Sequence, residues 1–281
     1  MKKGLIPAFL AAVVAVVITF YITACRTSSR VTIGNISVSP LDQNSVKAIN
    51  VASRPAVRTL RFSDYEWKVK SSRGPAGPGP NQFSSSSDNV WVDDQKRLHL
   101  RITHHNNHWY CAEVISQQSF GYGTYRFYLD SRVDNLEPNI VLGLFTWSDD
   151  PAYSHREIDI ECTKWADANN STNAQFVVQP YHPPGHLLRF QVPSGTNTST
   201  HSFTWKQDSV FFQSLKGHDA TSPNPNDVIK QWKYTQSIPK PGGENARMNL
   251  WLVGGRAPTD GKEAEIIIKK FKFVPSPGTD F

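Results

Sequence analysis

The chain has 281 residues, is 38% hydrophobic and 11% aromatic, and carries 19 prolines and 17 glycines at a formal charge of +6. That composition suits one large or two small turn-rich domains and excludes a chain disordered over most of its length. The positive excess is mild, with no basic run or recognition-helix pattern, so it makes no case for nucleic acid as a partner.

The opening stretch, MKKGLIPAFLAAVVAVVITFYITAC, joins a basic start to a long apolar run and ends in small residues before Cys25. A basic start followed by an apolar segment is the pattern of an export signal. Its last four residues, Ile22-Thr23-Ala24-Cys25, resemble the lipobox of bacterial lipoproteins, in which the cysteine becomes the lipidated first residue. The run is also close to the ~20 residues that span a bilayer, which makes an uncleaved anchor the competing reading. The export pattern favours the lipoprotein. Residues 1–24 are therefore expected to be a signal peptide and Cys25 a lipid anchor. The remainder is placed in a bacterial cell envelope, periplasmic or surface-exposed. Residues 25–55, rich in Ser, Thr and Asn without periodicity, read as a membrane-proximal tether.

Beyond the tether, short alternating segments recur between turn signals such as RGPAGPGPN and HPPGH. RLHLRITH sets Leu98, Leu100 and Ile102 against Arg97, His99 and Arg101, and GTYRFYL sets Tyr125, Phe127 and Leu129 against Thr124, Arg126 and Tyr128. HSFTWKQD and ARMNLWLVGG repeat the pattern, with Phe203 and Trp205 on one face of the first and Met248, Leu250 and Leu252 on one face of the second. Period two with almost no helical pattern predicts an all-β fold of antiparallel sheets packed as a sandwich. One domain is expected over 56–276, followed by a short tail, 277–281.

Cys111 and Cys162 would lie in an oxidising compartment, where a disulfide is permitted. Spacing alone does not bring their Cα atoms together, and a pair of buried free thiols fits equally. In THHNNHWY, His104, His105 and His108 carry a metal-compatible spacing, but Asn106-Asn107 reads as a turn, and no metal site is expected.

HREIDIECTKW places Glu157, Asp159 and Glu161 on alternate positions. In a strand these carboxylates share one face, while Ile158, Ile160 and Cys162 face the core. A polar face on a half-buried strand is ordinary, yet adjacent acids push one another's pKa values apart, and catalysis uses that separation. Other strands present matching chemistry: Glu113 in YCAEVIS, Asn249 and Trp251 in MNLW, and Trp147 at the end of LGLFTW. Carboxylates, an amide and large aromatics together suit a sugar-binding cleft.

With its neighbours FSDYEWKV, WVDDQKRLHLRI, AEVISQQSFGYGTYRFYL, VLGLFTW, NAQFVVQPY, MNLWL and AEIIIKKFKFVP, the motif resembles glycoside hydrolase family 16, the bacterial β-glucanase-like enzymes. The resemblance covers about residues 60–275. It implies a two-sheet antiparallel jelly-roll sandwich of the concanavalin type. It also implies hydrolysis of internal β-glycosidic bonds in a polysaccharide by retaining double displacement. On that pattern Glu157 is the nucleophile, Glu161 the general acid/base and Asp159 the assisting acid between them. Glu113, Trp147, Asn249 and Trp251 match cleft positions. The tract after the motif departs, with Gln175, Gln179 and Tyr181 where glucanases commonly present an Asn/Tyr pair, Gln179 being the substrate-binding candidate among them. Trp165 is placed to replace a lost aromatic platform. The resemblance implies a monomer with no required cofactor and leaves room for a structural calcium. A transglycosylase on the same site and a non-catalytic glycan-binding lipoprotein are the alternatives. Two points depart from the simple pattern. His155-Arg156 stands where the glucanases often carry a tryptophan, and Arg156 is expected at the core side or strand edge. On a flat strand Glu157 and Glu161 would stand roughly 13 Å apart at ~3.3 Å per residue, whereas retaining enzymes need about 5–5.5 Å, so the two side chains are expected to lean together.

Overall fold

The computed structural model describes residues 57–218 and 224–277. The leader, Cys25 and the whole 25–55 tether lie outside the described residues, as do 56, 219–223 and 278–281. What is described is an all-β domain of sixteen strands and three short 3-10 turns, numbered in chain order.

The strands form two layers. The first runs in the order β1 (Thr59–Phe62), β2 (Tyr65–Val69), β6 (His108–Ser119), β15 (Asn245–Leu252), β8 (Ile140–Trp147), β9 (Ile158–Cys162), β10 (Ala174–Val178), β11 (Leu187–Phe190). The second runs β4 (Val90–Val92), β5 (Leu98–His105), β16 (Ala264–Pro275), β7 (Gly123–Leu129), β12 (Ser199–Trp205), β13 (Val210–Lys216), β14 (Val228–Tyr234). Neighbours are antiparallel; the two-residue β3 (Gln82–Phe83) pairs in parallel with β6.

The layers are joined by the hairpin of β5 and β6, whose outer ends pair Thr103 with Tyr110 and His105 with His108. Asn106 and Asn107 close it at φ 51° and 64°. Positive φ at both central residues is the twist-matched hairpin turn, and Asn tolerates it better than most residues. His104 stacks on Trp109 with ring centres 4.7 Å apart. Among the described residues no cluster of His, Cys, Asp and Glu could hold a metal ion, and no helix is long and apolar enough to cross a membrane.

Between the layers lie the alternating apolar residues of each strand. Leu98, Leu100, Ile102, Tyr125, Phe127, Leu129, Phe203, Trp205, Met248, Leu250 and Leu252 are all buried. Aromatic rings fill much of this core, with Tyr125 stacked on Phe203 at 4.7 Å and Trp67 edge-on to Phe271 at 5.3 Å. In β16 the sequence IIIKKFKF breaks simple alternation, and a register shift between Ile268 and Lys270 restores it. The extra residue of a bulge lets Ile268 and Phe271 both face inward while the lysines stay outside. Ile158, Ile160 and Cys162 of β9 also face this core, which leaves the acids of that strand on the opposite face. Cys111 and Cys162 are separate buried free thiols, and burial pushes both up to about 12.

Candidate active site

On the face of the first layer turned away from the core lies a cleft of about 360 Å³. Strand register lays out its floor in rows. One row crosses from Glu113 on β6 to Asn249 on β15, Gly143 on β8, Glu161 on β9, Gln175 on β10 and Arg189 on β11. The next places Arg247 beside Phe145 and Phe145 beside Asp159. Glu157 stands just before β9. Its carbonyl accepts from Gln179 N at 3.1 Å.

Glu157, Asp159 and Glu161 all line the cleft, with Glu113, Trp147, Asn249 and Trp251. Glu113 is fully buried, and its carboxylate is held by Lys70 at 2.7 Å and Arg247 at 3.3 Å. Trp165 and Gln179 act on the acids from beyond the cleft lining. Trp165 packs edge-on to Trp251 at 6.0 Å and its indole N–H donates to Gln175 Oε1 at 3.1 Å. Gln175 Nε2 in turn donates to Glu161 Oε2 at 2.7 Å. Gln179 Nε2 donates to Asp159 Oδ2 at 3.1 Å.

All three acids are held above the ordinary carboxylate range. Burial is the main cause for each, and for Glu157 and Asp159 the neighbouring carboxylates add to it. Asp159 is raised well above its ordinary value. Its side chain is hydrogen-bonded to that of Glu157, and two carboxyls can share such a bond only while a proton remains between them. Arg247 also favours the charged form of Glu157, while Gln175 and Arg189 favour that of Glu161. The three therefore titrate as one coupled set, in which not every member is ionised at neutral pH.

Asn249 is 2% exposed, and its Oδ1 has no hydrogen-bond partner among the described residues. Across from it Gly143 lets the amide approach closely; a Cβ there would stand 2.4 Å from that oxygen. A buried acceptor without a partner is costly in an empty site, and a hydroxyl of a bound ligand would satisfy it.

Arg156 does not alternate with Glu157 as strand geometry would have it. Tyr153, Ser154, His155 and Arg156 have φ of 55°, 51°, 62° and 54°, a left-handed turn without a single glycine. Such a conformation costs about 1–2 kcal/mol per L-residue and persists only where surroundings over-determine it. The chain reverses here instead of running straight into β9, and side-chain alternation fails. His155 lies flat against Trp147, ring centres 4.1 Å apart and planes 7° from parallel.

Several cleft residues were not among the sequence candidates. Arg247 shares strand parity with Asn249 and Trp251, a signal that was present. Gly143 interrupts an apolar strand, which often marks close approach of other groups. Lys70 and the Gly77-Pro78 wall carry no comparable mark; Lys70 Nζ donates to Gly77 O at 2.6 Å.

Comparison of the sequence with protein-family models and with curated proteins gives no match. Comparison of the structure with solved structures does. A Bacillus licheniformis β-glucanase aligns with TM-score 0.56 at 18% identity, over 75% of this chain and 92% of that one. A pseudo β-1,3-glucanase and immunostimulatory antigen of Mycobacterium tuberculosis aligns with TM-score 0.55 at 22% identity, over 75% and 91%. A β-1,3-1,4-glucanase (lichenase) from a mouse hindgut metagenome aligns with TM-score 0.54 at 19% identity, over 75% and 93%. At these identities the likeness is one of fold, and the fold of this chain is the jelly roll of the bacterial β-glucanases.

Proposed function

We propose that the protein is an endo-acting glycoside hydrolase that cleaves internal β-glycosidic bonds of a polysaccharide with retention. The observation that carries this reading is the coupled row of Glu157, Asp159 and Glu161 on the floor of a cleft walled by Trp147 and Trp251. A Glu157 oxygen attacks the anomeric carbon as the bond to the leaving sugar breaks, and Glu161 gives its proton to the departing oxygen. The resulting glycosyl ester is then opened by water, whose proton passes to Glu161 while Glu157 leaves as carboxylate. Asp159 stays protonated beneath the nucleophile and steadies its charge. Asn249 receives a sugar hydroxyl and Trp251 offers a ring to a pyranose face.

The structural neighbours named as β-glucanases make a β-glucan the first substrate class to test. In the same reading, lipidated Cys25 holds the enzyme at the bacterial envelope, where it acts as a monomer without a cofactor. A second reading, glycan binding without turnover, draws on the neighbour named a pseudo β-1,3-glucanase. Crowded carboxyls raised in pKa give a pure binder no benefit, which favours hydrolysis.

Reducing-end release from mixed-linkage and β-1,3-glucans tests the choice. Wild type is expected to cleave at least one, and Glu157→Gln to lose activity by at least ~10³-fold while still binding it. Full activity in Glu157→Gln would remove the nucleophile assignment, and binding without cleavage in wild type would favour the second reading.

A further inference from the structure

We infer that Arg156 is the positioning residue for Glu157, holding the left-handed turn that aims this carboxyl into the cleft; the inference rests on Glu157 being the nucleophile. Arg156 is 7% exposed, and its guanidinium reaches in several directions at once. Nε donates to Lys240 O at 2.9 Å, while Nη1 donates to Asp150 Oδ2 at 2.9 Å and to Ala152 O at 3.3 Å. The same group lies over the Tyr153 ring at 5.5 Å. It thus ties the start of the turn, its own end and the 240–242 segment to one planar fork.

That segment is itself fixed. Fully buried Glu244 accepts from Gly242 N at 2.7 Å and from Gly121 N at 3.0 Å. Ser148 Oγ donates to Gly242 O at 3.3 Å. Gly242 packs so closely on the guanidinium that a Cβ there would stand 2.6 Å from both Nε and Nη2. On the other side, Thr146 Oγ1 donates to Arg156 O at 2.8 Å and accepts from Ile158 N at 3.2 Å. Glu157 is therefore bracketed: its preceding residue is clamped through both side chain and carbonyl, and its following residue enters β9.

No other described group near the turn makes this set of contacts. Lysine offers one compact donor head and cannot replace a fork that serves three acceptors. Without the fork the turn keeps its own backbone bonds and the contacts of His155 with Ser148 and Trp147, none of which reaches the 240–242 segment, and Glu157 would move relative to Asp159 and the sugar carbon. Displacements near 1 Å at a reacting group can cost about 10²-fold in rate.

The test uses the full chain in detergent, with mixed-linkage β-1,3-1,4-glucan as probe, and compares wild type, Arg156→Lys, Arg156→Met, Gly242→Ala and Glu157→Gln. Gly242→Ala keeps the guanidinium and its charge but displaces it. Arg156→Lys and Gly242→Ala are expected to lower kcat by roughly 10–100-fold with KM within about threefold. Arg156→Met should lose more, so that lysine rescues part of the activity. Circular dichroism melts are expected to show each variant folded at the assay temperature. Unchanged kcat in folded Arg156→Lys and Gly242→Ala would overturn the inference, as would a loss confined to KM or one that tracks the unfolded fraction. Failure of both variants to fold would also overturn it, because the role would then be structural. If wild type does not cleave the probe, or Glu157→Gln cleaves it as well as wild type, the fault lies in the proposed function and not in Arg156.

Discussion

A methyl group on Gly143 would meet Asn249 Oδ1 at 2.4 Å. Asn249 is buried between β6 and β8 with only two side-chain torsions, so its amide would have to rotate away from the cleft. Gly143→Ala is therefore expected to raise KM for the glucan about 10-fold with a smaller effect on kcat, and Asn249→Ala to raise it similarly. Because both changes remove one hydroxyl contact, the double variant should be little worse than either single one. Additive losses in that cycle would show that Gly143 and Asn249 act separately. Glu113 calls for the opposite treatment. Its carboxylate is fully buried and faces the partly buried Lys70 and Arg247, and removing one partner of such a set leaves charges unmatched. Glu113→Gln is expected to destabilise the domain by about 3–5 kcal/mol, read as a lower midpoint in chemical denaturation; an unchanged midpoint would make it a ligand contact only.

At the scale of elements, what could be read from sequence depended on how each strand is buried. β7 alternates buried with half-buried positions, so Tyr125, Phe127 and Leu129 announced themselves, while β12 is buried almost throughout and Phe203 and Trp205 were legible because polar residues alternate with them. β8 and β10 show no such alternation. Ile140–Trp147 is buried at nearly every position, and Ala174–Val178 at all of them, because one face meets the core and the other the cleft floor. Period two vanishes there, and with it the sign that Gly143 faces ligand. β9 is buried almost throughout as well, but it alternates apolar residues with acids, and that made the acidic row legible. The turn before it was not, since four non-glycine residues at positive φ contradict local preference and are imposed by tertiary contacts from 240–244. The Asn106-Asn107 turn is the converse case, where local chemistry and structure agree. Asn107→Val puts a β-branched residue at φ 64° and should cost about 1–2 kcal/mol. For a domain of this size that is roughly 2–8 °C in Tm. Asn107→Gly is expected to leave Tm unchanged or raise it. Equal melting of the two variants would mean that the hairpin turn contributes nothing to joining the layers.

Over the whole molecule the carboxyl row sets stability against function through pH. Asp159 is raised well above its ordinary value by burial and by Glu157 and Glu161, and those two are raised as well. In the unfolded chain an aspartate titrates near 3.9. Below that pH folded and unfolded forms both hold the proton, and the site imposes no linkage penalty. As pH rises, the unfolded chain releases protons that the folded site retains, so stability falls continuously until the folded groups ionise. Asp159→Asn removes one titration. Its amide can still donate to Glu157 and accept from Gln179, as protonated Asp159 does. Melting of Asp159→Asn and wild type should therefore nearly coincide at pH 4. The gap should open in favour of the variant by pH 6 and widen further at pH 8. A gap that stays constant with pH would mean that Asp159 is not protonated in the folded protein. A gap that closes would reverse the sign of the shift, and with it the view that Asp159 is kept protonated at the expense of the fold.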